Sequence, residues 1–333
     1  MAAEPAAPPL RPGGERTMST LPVIAAVDGS DDSTRALEWA LEEARLREAP
    51  LRIVHAVRTA TPRGAEPPAG AAAPDSSVIV ETRQALTGRP GLPELSFTTL
   101  DSTAASILPE LGAEAQLLVL GSRGRGGFAS LLLGSNGMAC ARDADSPVVV
   151  VPRPGRDVHT DAPEPAPGPR VVLGMSAEFP LTADAAPDPA LAFAYREAAI
   201  RSARLHVVCA YPWPVVAWAA AGEYLPSAAD QEAAEAECRQ LVAERVATLK
   251  DTYPQVTVEA EVSPGDAAGH LVAAARGADL VVVGRHRPRA FSPVRMLGSV
   301  THAVLLHAPA PVAVVPTAQE LAEAAAATGE DAA

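Results

Sequence analysis

Four small residues in the first half of the chain are spaced in a way that suits an anion. Gly121, Gly124, Gly134 and Ser135 form the pattern G-x2-G-x9-G-S, directly after the apolar run Leu117–Leu120. The run has the length and character of a buried strand. Glycines at its end let the backbone approach a ligand closely. Gly134-Ser135 suits a helix start, with Ser135 near the N-cap. Unpaired N–H groups there, beside Arg123 and Arg125, favour a phosphate. The chemistry implied is a phosphate cradle at the carboxyl end of a parallel strand.

Other phosphate motifs do not fit. No G-x-x-x-x-G-K-[ST] occurs, which argues against a P-loop enzyme. Gly124-Arg125-Gly126 begins like a dinucleotide fingerprint with Ala129 in its last place, but it follows a late strand rather than the first. Catalytic sets are equally hard to assemble. Ser30 and Ser33 lie near Asp28 without an evident activating base. His55 and His206 sit among apolar neighbours at matching positions and read as buried structural residues. His286, His302 and His307 show no metal-ligand context. The three cysteines, Cys140, Cys209 and Cys238, are far apart in sequence without a C-x-x-C, and read as reduced, buried residues of a cytoplasmic protein.

The elements that must hold this cradle alternate regularly. Leu21–Val27 reads as a short buried strand, and Asp28–Ser33 as a turn. A helix follows with Ala36, Leu37, Ala40, Leu41 and Ala44 on one face. Further strands are expected at Leu51–Val57, Leu95–Leu100 and Pro147–Pro152. Helices are expected around Val78–Leu86, Ala104–Leu111 and Ser135–Arg142, and 58–76 reads as a mobile loop. Alternation of this kind means βαβ units and a parallel sheet.

The pattern then restarts. Residues 154–169, mostly Pro, Gly, Asp and Arg, read as a linker. Arg170–Gly174 parallels the first strand, Ala190–Ala203 the first helix, and Leu205–Ala210 parallels Leu51–Ala56. Ala278–Gly284 parallels Ala115–Gly121, Gly298-Ser299 parallels Gly134-Ser135, and Ala310–Pro316 parallels Ser146–Pro152. Two related domains are therefore expected, at 21–153 and 170–317. Residues 1–20 read as a disordered leader or an early start codon before Met18, and 318–333 as a flexible tail. The apolar last strands, Val148–Val151 and Val312–Val315, are bounded by prolines and would be open edges if left alone. Pairing them antiparallel would protect both.

Composition narrows the function. A chain of 333 residues with 48% apolar and 20% charged residues suits two globular domains. A net charge of −13 argues against a general nucleic-acid or anionic-membrane binder. No apolar run reaches the ~18 residues of a membrane span.

The G-x2-G-x9-G-S pattern, together with the repeat from Leu21 to Thr317, resembles the universal stress protein family in its tandem two-domain form. The resemblance implies an α/β fold: two doubly wound five-stranded parallel sheets, each flanked by helices, akin to adenine-nucleotide α-hydrolases. It implies ATP, with Mg2+ as an optional companion, at the switch point where Val27-Asp28 and Gly121 emerge. Asp28 would lie by the adenosine, Ala56 would line the adenine pocket, and Gly121, Gly124, Gly134 and Ser135 would hold ribose and phosphates. Val27, Leu120, Arg123 and Asn136 complete the expected set.

The family usually continues Ser-Val-[ST], and here Asn136-Gly137 stands in that place. The second copy departs further: Ser176 replaces Asp28, Arg287 replaces Gly124, and the loop to Gly298 is one residue longer, although Gly298-Ser299-Val300-Thr301 is kept. It is either a degenerate copy kept for packing or a site for another anion using Arg285, Arg287 and Arg289. The implied function is a nucleotide-dependent stress-response regulator or adaptor with unnamed protein partners. It would be a pseudo-dimer of its own two domains, and a homodimer stays open. The rivals are a scaffold without nucleotide and a slow ATP hydrolase. An α-hydrolase enzyme is disfavoured because Asp28-Gly29-Ser30-Asp31-Asp32 would repel pyrophosphate.

Overall fold

The computed structural model describes residues 21–58, 74–124, 133–155, 167–176, 188–211, 213, 227–285 and 297–318. The expected leader and most of the tail, of the 58–76 loop and of the linker lie outside these residues. The first unit runs β1 Val23–Ala26, α1 Asp31–Leu46, β2 Leu51–Ala56, α2 Ser77–Leu86, β3 Leu95–Leu100, α3 Ala104–Glu110, β4 Leu117–Gly121, α4 Ser135–Asp143 and β5 Val148–Val151. The second runs β6 Arg170–Ser176, α5 Pro189–Ile200, β7 Arg204–Tyr211, α6 Ala228–Lys250, β8 Val258–Pro264, α7 Ala267–Ala274, β9 Leu280–Gly284, α8 Ser299–His307 and β10 Val312–Val315.

All ten strands form one sheet in the order β3-β2-β1-β4-β5-β10-β9-β6-β7-β8. Every pairing is parallel except the central one, where β10 runs antiparallel to β5 with Val312 opposite Val150 and Val314 opposite Val148. The antiparallel pairing expected from the two last strands is thus what joins the units. Both strands are buried along their whole length. They carry apolar residues on both faces because helices cover both sides of the sheet. One face is packed by α1, α2, α5 and α6, the other by α3, α4, α7 and α8.

Helix α1 shows how local chemistry fixes these elements. Ser30 caps it, accepting from Ser33 N at 3.2 Å. Asp31 and Asp32 lie in its first turn and Arg45 in its last, matching the helix dipole. Ala36, Leu37, Ala40, Leu41 and Ala44 are buried against the sheet, as their spacing requires.

Across the pseudo-twofold axis, α1 and α5 meet through a buried four-membered charge cluster. Arg47 contacts both Glu43 and Glu197, and Arg201 contacts the same two carboxylates. The guanidinium of Arg47 also lies 5.6 Å from the Phe193 ring centre, and that of Arg201 5.8 Å from Trp39. Burial, and then the charge of Glu43, push the Glu197 carboxyl up to about 7.

The helix expected from Ser135 begins there: Ser135 is the first residue of α4, next to its N-cap Gly134. One expectation needs correction. His55 and His206 are half-buried rather than buried. His55 Nδ1 lies 2.7 Å from the hydroxyl of Ser76, the N-cap of α2, and His206 Nε2 lies 3.2 Å from Glu261.

Candidate functional site

In the first unit the strand order reverses between β1 and β4, whose parallel register sets Val23 beside Leu117 and Ala25 beside Val119. β1 leads to α1 on one face, and β4 is reached through α3 on the other. A crevice therefore opens beyond the carboxyl ends of these two strands. Val27, Asp28, Leu120, Gly121, Arg123 and Gly124 stand at its rim.

The turn after β1 is built around Asp28. Its Oδ1 accepts from Ser30 N at 3.0 Å and from Ser30 Oγ at 2.6 Å, while Gly29 takes a φ of 75° that favours glycine. Its Oδ2 faces Gly124. A Cβ on Gly124 would lie 2.5 Å from that oxygen, so a side chain there would push the carboxylate aside. Gly121 is equally constrained from another side: a Cβ there would come within 2.6 Å of the Asp32 backbone. The first of these glycines keeps the crevice open, and the second lets α1 pack against β4.

Gly134 closes the other end of the loop. Its N–H donates to Ser122 O at 2.7 Å. Its own Cβ position is open, with the nearest atoms at 3.6 Å. As N-cap it brings no side chain to the first-turn N–H groups of α4, and Ser135 is exposed with Asn136 half-buried beside it. Backbone donors and a helix dipole thus face the place where a negative group would sit.

Ala56 stands at the end of β2 opposite Leu100. β2 lies on the far side of β1 from β4. Arg125 and the rest of 125–132 lie outside the described residues.

The motif reading passed over a second layer. Asp32 is buried, and its Oδ2 accepts from Ser122 Oγ at 3.0 Å. Its Oδ1 accepts from Arg153 at 3.0 Å and from Arg35. Burial by itself would raise this carboxyl, but the bonds from Arg153 and Ser122 and the charge of Arg35 hold it below its ordinary range. Asp32 is therefore paired with two guanidinium groups, which offset the repulsion expected from it. Only the placement of Arg153 just past the proline-bounded last strand hinted at this.

The matching residues of the second unit are engaged elsewhere. Arg285 follows β9 where Ser122 follows β4. It is not a solvated loop cation, and the structure does not aim it at the crevice: it is buried, and its Nη1 donates to Ala144 O at 2.7 Å and Arg142 O at 3.0 Å, at the carboxyl end of α4. Thr301, expected to keep a hydroxyl for phosphate, donates it instead to Gly284 O at 2.9 Å. A Cβ on Gly284 would meet nothing closer than Ala190 at 3.9 Å, so the tight approach seen at Gly121 is relaxed. Arg287 and Arg289 lie outside the described residues. Among the described residues no three His, Cys, Asp or Glu side chains converge as a metal site, and no helix is long and apolar enough to cross a membrane.

The universal stress protein family model matches residues 21–152 and again 179–316. A universal stress protein of Mycolicibacterium smegmatis is 30% identical over 312 residues, covering 88% of this chain and 96% of that protein. One from Mycobacterium tuberculosis is 30% identical over 313 residues, covering 89% and 96%. Among solved structures, a functionally unknown protein from Pseudomonas aeruginosa superimposes with a TM-score of 0.59 at 16% identity, over 94% of this chain and 99% of that one. A universal stress protein from Archaeoglobus fulgidus does so with a TM-score of 0.54 at 16% identity, over 88% and 97%. At such identity these two speak for the fold.

Proposed function

The chain belongs to the universal stress protein family, a stress-response family, with the family unit present in tandem, and on that premise we propose that its first unit binds one ATP while its second binds none. The observation that carries this reading is the contact between Gly124 and Asp28. The loop glycine lies against the strand-one carboxylate at the switch point, and the open amino end of α4 completes the cradle. Asp28 and Ala56 flank the adenosine end, with Val27 and Leu120 as apolar walls. Gly121, Gly124, Gly134, Ser135 and Asn136 offer backbone and small polar groups to ribose and phosphates, with Arg123 adding charge. Mg2+ arrives, where it does, with the triphosphate.

Binding rather than turnover is the role we assign. The two hydroxyls nearest Asp28 are engaged in folding: Ser30 Oγ donates to Asp28, and Ser33 Oγ donates to Ser30 O at 2.8 Å. ATP occupancy would bias the surface offered to a protein partner, making the chain a nucleotide-dependent regulator or adaptor in the cytoplasm. Its domains are taken as 21–153 and 170–317, joined by 154–169.

The second unit lacks the carboxylate that Asp28 provides, having Ser176, and its Arg285 and Thr301 are turned inward. Native mass spectrometry of the full chain with ATP, joined to calorimetry, tests the proposal. A single bound nucleotide, abolished by Gly134→Ala, is the expected result. Two nucleotides per chain would overturn the assignment of the second unit. No binding at millimolar ATP would leave the scaffold reading standing instead.

A further inference from the structure

The fold brings together two thiols that lie far apart in sequence. Cys209, near the end of β7, and Cys238, on α6, place their sulfur atoms 3.3 Å apart. Cys209 has no exposed surface, and Cys238 is 5% exposed. Both belong to the core on the α1, α2, α5 and α6 face of the sheet. The third thiol, Cys140, is buried on the opposite face, so it cannot take part in the same reaction.

The geometry points to Cys209 and Cys238 as a redox modification site: a buried dithiol that a hydroperoxide converts to a disulfide linking α6 to β7. Bond formation needs the sulfurs to close from 3.3 Å to about 2.05 Å. In the first step the Cys238 thiolate attacks the peroxide oxygen. The O–O bond breaks, sulfur is oxidised to a sulfenic acid, and hydroxide leaves. In the second step the Cys209 sulfur attacks the Cys238 sulfur. The S–S bond forms, the S–O bond breaks, and the Cys209 proton leaves with the oxygen as water.

The division of roles follows from the surroundings. Burial, and then the contact with Cys238, push the Cys209 thiol up to about 12. The proton is thus held on Cys209, and Cys238 on the outer helix is the sulfur a peroxide meets first. A thiol held this way is a slow resolving partner, so closure is expected to need sustained oxidant. The disulfide would close residues 210–237 into a loop and anchor α6 to the carboxyl end of β7. This inference is independent of nucleotide binding.

The full chain, reduced and desalted, is treated with hydrogen peroxide and then alkylated with iodoacetamide in denaturant. Of the three cysteines, one, Cys140, should be alkylated in the oxidised sample, against three in the untreated one. A peptide pair joined through Cys209 and Cys238 should appear, and dithiothreitol should abolish it. The oxidised monomer should melt about 5–10 °C higher, since the cross-link restricts the unfolded chain. Cys140→Ser should behave like wild type, and Cys238→Ser should not form the cross-link. Three alkylated thiols after prolonged treatment with peroxide and, separately, with diamide would overturn the proposal. So would disulfides only between chains, or a Cys238 over-oxidised to sulfinic acid with Cys209 still free. Should Cys238→Ser fail to fold, the wild-type peptide map decides by itself.

Discussion

A methyl group at Gly124 is a small change with a large expected effect. In Gly124→Ala the new carbon would stand 2.5 Å from Asp28 Oδ2, nearer than non-bonded carbon and oxygen come. The carboxylate must then swing away or the loop must lift. Swinging it loosens the bonds that Oδ1 accepts from Ser30 N and Ser30 Oγ, at 3.0 Å and 2.6 Å. At about 1 kcal/mol each, these amount to about 2 kcal/mol. Lifting the loop moves backbone donors away from the phosphates. Either way ATP binding should weaken by roughly ten- to thirtyfold, since each ~1.4 kcal/mol is a factor of ten.

Calorimetric titration of the full chain with ATP measures this, with thermal melts run in parallel. Gly134→Ala is the companion: its Cβ meets nothing within 3.6 Å. It should leave the melting temperature unchanged while blocking the phosphate's approach to the α4 amides. Equal affinities for wild type and Gly124→Ala would refute the reasoning. A Gly134→Ala protein that melts several degrees lower yet binds ATP normally would refute it too.

Three further outcomes follow from the buried charges. Glu197 titrates higher in the fold, at about 7, than its ordinary 4.5. The stability it contributes is full below pH ~4.5 and is lost as pH rises through 7. Urea midpoints of the wild type should therefore fall between pH 5 and 8, and Glu197→Gln should flatten that decline. Asp32 is shifted the other way, below its ordinary 3.8. Its stabilisation is present above that pH and fades as acid protonates the folded form. Asp32→Asn should destabilise by about 1–3 kcal/mol at neutral pH by weakening the bonds from Ser122, Arg35 and Arg153, and the gap to wild type should narrow below pH ~3.8 in chemical denaturation. Arg285→Ala removes two charge-assisted bonds to the carboxyl end of α4. It should lower the melting temperature by a few degrees for a loss of about 1–3 kcal/mol, and an unchanged melt would show that this contact carries no weight.

Much of this protein is readable from local pattern. Strand periodicity, the apolar stripe Ala36 to Ala44 and the all-valine β5 each act through neighbours in sequence. The repeat and the G-x2-G-x9-G-S spacing located the family and the switch point. The open edges of β5 and β10 pointed to their antiparallel pairing, because an unpaired apolar edge has few other outlets. The three-dimensional fold decided the rest, since the remaining groups meet only across long sequence separations.

Asp32 reads in sequence as one more carboxylate near a phosphate, yet Ser122 and Arg153, brought in by the ends of β4 and β5, bond it, and Arg153 and Arg35 balance its charge. Arg285 reads as a loop cation and is instead buried on the carbonyls of α4 in the other unit. Glu43 and Arg47 stand four residues apart at the end of α1, and only the packing of α5 brings Glu197 and Arg201 against them. Cys209 and Cys238 look unrelated until α6 lies across β7. Spacing along a chain specifies which backbone groups lie near one another within an element. Which side chains share a buried space is set by how the sheet orders its strands, and that depends on the whole chain packing at once.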